Sequence, residues 1–90
     1  MLETGNLYGT VVDSHGASLP GTTLTLAGAG APLIQVSNAD GQFRFLELQP
    51  GTYSLEAQLE GFSTGEVPRI DIAVGRSTTV EVTLQPNIFE

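Results

Sequence analysis

Two runs with a two-residue period, residues 42–45 and 52–59, constrain the fold more than any other feature of the sequence. Phe43 and Phe45 alternate with polar residues. A second apolar set follows at alternate positions, namely Tyr53, Leu55, Ala57 and Leu59. Such alternation is typical of strands with one buried face and one face in water. Because Pro50-Gly51 has turn chemistry, we predict that the two strands form a hairpin carrying the middle of the core.

The rest of the chain repeats this pattern at intervals of roughly ten residues. Glycine, proline, aspartate and asparagine separate the runs, and these residues favour turns. No stretch has a sustained helical period. The other predicted strands cover residues 7–12, 22–27, 33–37, 69–74 and 78–84. The sequence therefore predicts an all-β fold, a seven-stranded antiparallel sandwich.

Two of these strands carry more detailed predictions. Pro68 cannot donate to a ladder, so the strand near it either lies at a sheet edge or begins there. Its core face is predicted to hold Ile70, Ile72 and Val74. The core face of the last strand is predicted to hold Thr78, Val80, Val82 and Leu84.

Length and charge restrict the classes of function. Ninety residues suit one domain with a modest core. The net charge is −7, from ten acidic residues against three arginines and no lysine. A nucleic-acid partner is not expected, because neutralising phosphates normally requires a basic surface. The same balance argues against binding anionic lipid headgroups.

The chain has no cysteine, which excludes disulfides, thiolate metal ligands and thiol nucleophiles. No apolar run is long enough to span a bilayer, so no membrane insertion by this segment is expected. The first residues lack the basic and apolar regions of a signal peptide. We interpret the chain as a piece of a longer protein.

The candidates for catalysis are few. Ser14 and His15 lie next to each other, with Asp13 and Asp40 as possible third members of a triad. Adjacent residues in a turn project apart, whereas a base must reach the proton of its nucleophile at roughly 2.6 to 3.2 Å. A zinc site needs several nitrogen or sulfur ligands, and a single histidine cannot supply them. We therefore predict no enzyme activity, no metal and no cofactor.

Calcium binding is an alternative to a site without metal, because calcium is bound by oxygen ligands. Asp13, Asn38 and Asp40 lie in predicted loops that could meet at one end of a sandwich. The spaced acidic loop of an EF-hand is absent. We favour the interpretation that these residues form Asx turns, in which the side chain accepts bonds from its own backbone.

Several segments together resemble the carboxypeptidase regulatory-like domain family. These segments are residues 9–24, 38–45, 48–53 and 60–62, in that order. The resemblance implies a Greek-key sandwich of the transthyretin-like, or prealbumin-like, type. It also implies an accessory module of secreted, periplasmic or outer-membrane proteins. Such modules occur beside metallocarboxypeptidase catalytic domains, in bacterial surface proteins, and as amino-terminal extensions of TonB-dependent receptors.

The resemblance carries further expectations. Residues 70–84 look most like the receptor-extension and bacterial surface members, so we expect a bacterial origin and an extracytoplasmic location. The domain is expected at residues 7–85, with residues 1–6 and 86–90 as termini or linkers. Peptidase activity is not implied, because the zinc domain is a separate fold. The expected partners are other domains of the parent protein or a surface protein. A third class of function, a small hydrolase like the transthyretin-related enzymes of the purine pathway, would need several histidines, whereas this chain has one.

Carbohydrate binding is the specific alternative, since related sandwiches include starch-binding modules. Such sites commonly stack a sugar ring on an exposed aromatic side chain. Tyr8 and Phe62 are the predicted stacking residues, and Phe89 is a further possible platform. In the competing interpretation Phe62 folds back and caps one end of the core. The lysine-to-asparagine isopeptide bond of related pilins and adhesins is impossible here, because the chain contains no lysine.

Overall fold

In the computed structural model, residues 3–28 and 30–87 are described, and they form seven β-strands in two facing sheets. The strands are β1 (Gly5–Asp13), β2 (Thr23–Ala27), β3 (Leu33–Val36), β4 (Gln42–Leu48), β5 (Gly51–Gln58), β6 (Gly65–Ile72) and β7 (Ser77–Leu84). The smaller sheet has the order β4-β1-β7 and the larger has β3-β2-β5-β6. The predicted all-β sandwich is confirmed. No helix in this part of the chain is long and apolar enough to cross a membrane.

One strand pair departs from the predicted antiparallel arrangement. Within the described residues β1 and β7 run parallel, in register from Asn6 opposite Ser77 to Asp13 opposite Leu84, while the other pairs are antiparallel. A two-residue period is the same in both kinds of ladder, so the sequence pattern alone does not reveal the direction. The chain consequently enters the smaller sheet at one end and leaves it at the other.

The predicted hairpin between the two central strands is wrong. β4 lies in the smaller sheet and β5 in the larger one, so the short connection around Pro50 carries the chain from one sheet to the other. The Tyr53 hydroxyl donates to the Gln49 carbonyl at 2.6 Å and closes this connection. The core faces are nevertheless as predicted, because Phe45 and Leu55 are both buried in one cluster.

The core lies between the sheets and is built from alternate residues of both. Its buried members are Leu7, Val11, Leu19, Leu24, Leu26, Phe43, Phe45, Leu48, Tyr53, Leu55, Ala57, Ile70, Ile72, Val82 and Leu84. Phe43 and Phe45 meet edge to face, with ring centroids 6.0 Å apart. Gly9 on β1 makes room for them, since a Cβ atom there would overlap the ring of Phe43. The clean alternation explains why the sequence predicted most of this core.

A β-bulge interrupts the alternation in β4. The register shifts by one residue against β1, and Leu46 and Glu47 both point outward before Leu48 returns to the core. Glu47 has a φ of 57°, which places a non-glycine residue in the left-handed region. Its N–H donates to Oδ1 of Asn6 at 3.0 Å. The Asn6 side chain therefore holds a backbone group in the bulge.

β6 confirms the edge-strand alternative for Pro68. The proline lies inside β6, which is at one edge of the larger sheet among the described strands, and the register against β5 shifts at this point. Ile70 and Ile72 are buried, as predicted. The prediction for Val74 is wrong, because β6 ends at Ile72 and Val74 is 45% exposed.

Candidate functional site

Tyr8 lies on the outer face of the smaller sheet, in an open groove of about 640 Å³. β1 is the central strand of this sheet, so the tyrosine has a cross-strand neighbour on each side, Arg44 on β4 and Thr79 on β7. Its side chain is partly exposed. Other polar residues of the groove are Thr10, Gln35, Asn38 and Gln42.

The chemistry of this groove is that of an aromatic ring bordered by hydrogen-bonding groups. The Tyr8 side chain contributes apolar surface, while amide side chains and the Arg44 guanidinium supply hydrogen-bond donors and acceptors. Arg44 is the one charged residue among those that line the groove in the described part of the chain. Such a lining can contact a ligand that combines an apolar surface with several hydrogen-bonding groups.

Phe62 lies elsewhere. It is half-buried and packs against the core cluster, and its backbone forms a bridge with Pro86 just beyond β7. This position agrees with the interpretation of Phe62 as a cap on the core. Phe62 is not among the residues that line the groove of Tyr8, so the structure does not bring the two predicted stacking residues together. Phe89 lies outside the described residues.

Asp13 ends β1 with an Asx turn. One carboxylate oxygen accepts the backbone N–H groups of His15 at 2.8 Å and Ala17 at 2.9 Å. The N–H of Ala17, and then that of His15, lower the pKa of the Asp13 carboxyl from its ordinary value. The aspartate is thus bonded to the main chain of His15, whereas a triad would direct its carboxylate to the imidazole.

Asn38 forms the second Asx turn. Its Oδ1 accepts the N–H groups of Asp40 and Gln42, both at 2.9 Å. The N–H of Gly41 donates to the Asn38 carbonyl at 2.9 Å, and Gly41 has a φ of 74°, which glycine adopts readily. Within residues 3–28 and 30–87 no three His, Cys, Asp or Glu side chains converge as a metal site. The geometry at both turns is that of backbone capping.

Among the described strands, β3 exposes the most apolar surface, and no sequence prediction singled it out. Ile34 and Val36 are 62% and 58% exposed, and Leu33 is also exposed. Among the described strands β3 pairs with β2 alone, and it is free of charge, proline and bulge. The edge strand β6, by contrast, contains Pro68 and a bulge, which are ordinary protections against edge pairing. The uncharged run at residues 33–36 was the available signal.

The comparisons with known proteins agree with this fold. The family model for the carboxypeptidase regulatory-like domain matches residues 6–85. No curated protein matches the sequence.

Three solved structures show the range of proteins that share the sandwich. The chain resembles the minor pilin GBS52 of Streptococcus agalactiae with a TM-score of 0.80 and 18% identity, covering 100% of this chain and 48% of the pilin. A candidate carbohydrate-binding protein from Bacteroides uniformis has a TM-score of 0.73 and 15% identity, covering 90% of this chain and 41% of that protein. The 5-hydroxyisourate hydrolase of Klebsiella pneumoniae has a TM-score of 0.66 and 23% identity, covering 94% of this chain and 94% of the hydrolase.

These likenesses show the fold alone, because the same sandwich occurs in proteins of different function. The chain spans less than half the length of the pilin and of the Bacteroides protein.

Proposed function

The chain belongs to the carboxypeptidase regulatory-like domain family, and from this premise we propose that it is a non-catalytic accessory module of a larger exported bacterial protein. We place the module at residues 5–87, slightly more than the predicted 7–85, because β1 begins at Gly5 and the N–H of Asn87 donates to Gly61. It acts outside the cytoplasm as a spacer or stabiliser of neighbouring domains, in a surface protein or as an extension of an outer-membrane receptor.

The observation that carries this proposal is the parallel pairing of β1 and β7. The register runs from Asn6 opposite Ser77 to Asp13 opposite Leu84, so β1 begins and β7 ends at opposite ends of the sheet. At about 3.3 Å per residue these points lie roughly 25 Å apart along the strands. Segments joined before β1 and after β7 are therefore held apart in line, which is the geometry of a spacer.

The contact surface of the module is the free edge of β3. Strand addition to this edge would satisfy its unpaired backbone groups and cover Ile34 and Val36. The chain carries a net charge of −7, and Ile34 shares a cross-strand row with Thr25 and Glu56. We therefore assign to this edge an extended partner segment that is neutral or basic and places apolar side chains beside Ile34 and Val36.

Deletion of the module from the parent protein tests the proposal. We expect the shortened protein to lose correct folding of its neighbouring domains or capture of its partner. Unchanged folding together with unchanged capture would contradict an accessory role.

A charge variant tests the contact surface. Ile34→Lys with Val36→Lys places two charges on the edge and should abolish capture, because lysine on an edge strand opposes strand addition. Val74→Lys is the matched control, since Val74 is also an exposed apolar residue but lies outside β3. Equal capture by both variants would exclude the β3 edge.

The second candidate function is carbohydrate binding, and the groove around Tyr8 favours it. The tyrosine ring supplies a stacking face, and Gln35, Gln42 and Arg44 surround it with hydrogen-bonding groups. Sugar recognition needs this combination of one apolar platform and several polar contacts.

A glycan array with three variants tests this candidate. Tyr8→Ala should abolish retention, while Tyr8→Phe should retain much of it because the ring remains. Phe62→Ala should leave retention unchanged if the variant is folded, since Phe62 lies outside the groove. Retention that survives Tyr8→Ala, or a complete lack of glycan binding by the unaltered chain, would exclude the site.

A further inference from the structure

We infer that the β1–β7 pair is a mechanical clamp that resists tension applied along the polypeptide by neighbouring domains. This inference rests on the proposed role as an in-line spacer, because only a module joined at both ends is pulled in this way. It adds a function that spacing alone does not require.

The direction of the two strands is the first argument. Tension pulls β1 back toward the end at which it begins and pulls β7 onward toward the end at which it finishes. Because the strands are parallel over the register from Asn6–Ser77 to Asp13–Leu84, these two pulls are opposite and lie along the ladder. The hydrogen bonds are then loaded together in shear. Strands pulled apart from one end would instead lose their bonds one after another.

Backbone bonds tie both ends of the pair. Where β1 begins, the Thr4 carbonyl accepts the N–H of Gly75 at 2.9 Å, and the N–H of Asn6 donates to Arg76 at 3.0 Å. The bonds between the two segments therefore extend to the residues just before β7.

Beyond the end of β7, the chain is tied to the segment between β5 and β6. The N–H of Ser63 donates to the Gln85 carbonyl at 2.8 Å, and the N–H of Asn87 donates to Gly61 at 3.0 Å. Tension at this end must break these bonds before it reaches β7 itself.

Side chains add resistance in the same direction. Leu7 and Val11 on β1 and Val82 and Leu84 on β7 are buried in the core. Sliding either strand along the other would drag these side chains out of their packing, at a cost that scales with the apolar area exposed. Since the chain has no lysine for an isopeptide cross-link, all of this resistance is non-covalent.

Single-molecule pulling in two directions tests the clamp. The chain has no cysteine, so paired cysteine substitutions define the points of attachment. Glu3→Cys with Asn87→Cys loads β1 and β7 in shear, whereas Glu3→Cys with Arg76→Cys pulls the same two strands apart from one end. Forced unfolding reports the unfolding rate under load. We expect a severalfold higher unfolding force for the first pair.

A core variant separates the clamp from general stability. Leu24→Ala, made in each cysteine pair, removes packing from β2 and should lower thermal stability while the ratio between the two directions persists. Equal forces in the two directions, or a ratio that disappears in the Leu24→Ala background, would overturn the clamp. Equal forces would leave the spacer role intact, because that role is tested by deletion of the module from its parent.

Discussion

Phe45 on β4 and Leu55 on β5 show how single side chains hold the two sheets together. They are 3% and 2% exposed and belong to the same core cluster. We expect Phe45→Ala to lower the free energy of unfolding by about 3 to 5 kcal/mol and Leu55→Ala by about 2 to 5 kcal/mol, because each leaves a cavity. Urea denaturation monitored by circular dichroism measures both.

The adjacent outward residues provide the controls. Arg44→Ala and Ser54→Ala lie one position away on the exposed face, and each should change stability by less than about 0.5 kcal/mol. A loss below about 1 kcal/mol for both core variants would show that the core face is assigned incorrectly.

Asp13 gives the chain a pH-dependent contribution to stability. Since its pKa is lowered in the folded state, mainly by the N–H of Ala17, the ionised form contributes stability above the pKa of the unfolded chain. That contribution is lost as the pH falls through the folded pKa. We expect Asp13→Ala to be less stable than the unaltered chain at neutral pH, with a difference that shrinks as the pH falls below the ordinary aspartate pKa of about 3.9.

Urea denaturation across this pH range measures the difference. Asp13→Asn is the control, because it keeps a side-chain oxygen to accept the turn bonds but does not ionise. A deficit of Asp13→Ala that grows on acidification would contradict the role assigned to the carboxylate.

For individual residues, the sequence was informative where the interactions are local. Asp13 and Asn38 bond to N–H groups two and four residues away, so the turns could be predicted from the neighbouring sequence. The groove around Tyr8 could not, because Gln35, Arg44 and Thr79 reach it from three other parts of the chain.

At the level of the strands, the bulge in β4 depends on a hydrogen bond to a side chain of β1. The Asn6 side chain accepts the Glu47 N–H, so Asn6→Ala removes its partner. We expect a loss of about 0.5 to 1.5 kcal/mol, the usual net value of one hydrogen bond. Thermal denaturation measures it, and Tyr8→Ala, on the same strand and face, is the control for side-chain truncation. An Asn6→Ala variant with unchanged stability would show that water satisfies the bulge equally well.

The strand predictions failed where alternation carries no information. The runs around Phe45 and Leu55 would look the same in a hairpin and in a connection between two sheets, and the short Pro50-Gly51 turn favoured the hairpin. Val74 continued the period of Ile70 and Ile72, but the strand ends before it. Pro68 was informative because a missing N–H excludes a central position for any strand.

For the whole molecule, net charge predicts the response to salt. The chain carries −7, and the exposed pair of Arg69 and Asp71, 3.4 Å apart, contributes little. Added salt therefore screens more repulsion than attraction, and we expect the Tm to rise between about 0.05 and 0.5 M sodium chloride. Differential scanning calorimetry measures this shift.

The control for salt is the pH. Near the isoelectric point of about 4.3 the net repulsion vanishes, so the rise in Tm should become much smaller. A Tm that falls with salt at neutral pH would mean that local attractions outweigh the net charge.

The overall architecture was accessible from sequence because its causes are repeated along the chain. Turn residues at even spacing and one apolar face per strand are sufficient for a two-sheet sandwich. The direction of β7 was not accessible, since it depends on a partner that is distant in sequence: Leu7 pairs with Thr78. The bare edge of β3 was also missed, because its exposure depends on which strands lie beside it.

The position of β1 between β4 and β7 has a consequence for biosynthesis. β1 is the first strand of this domain to be synthesised, and one of its two partners is β7, the last. The smaller sheet therefore stays incomplete until Leu84 has left the ribosome. Contacts between such distant residues close slowly. The domain should therefore complete its fold only after β7 has left the ribosome.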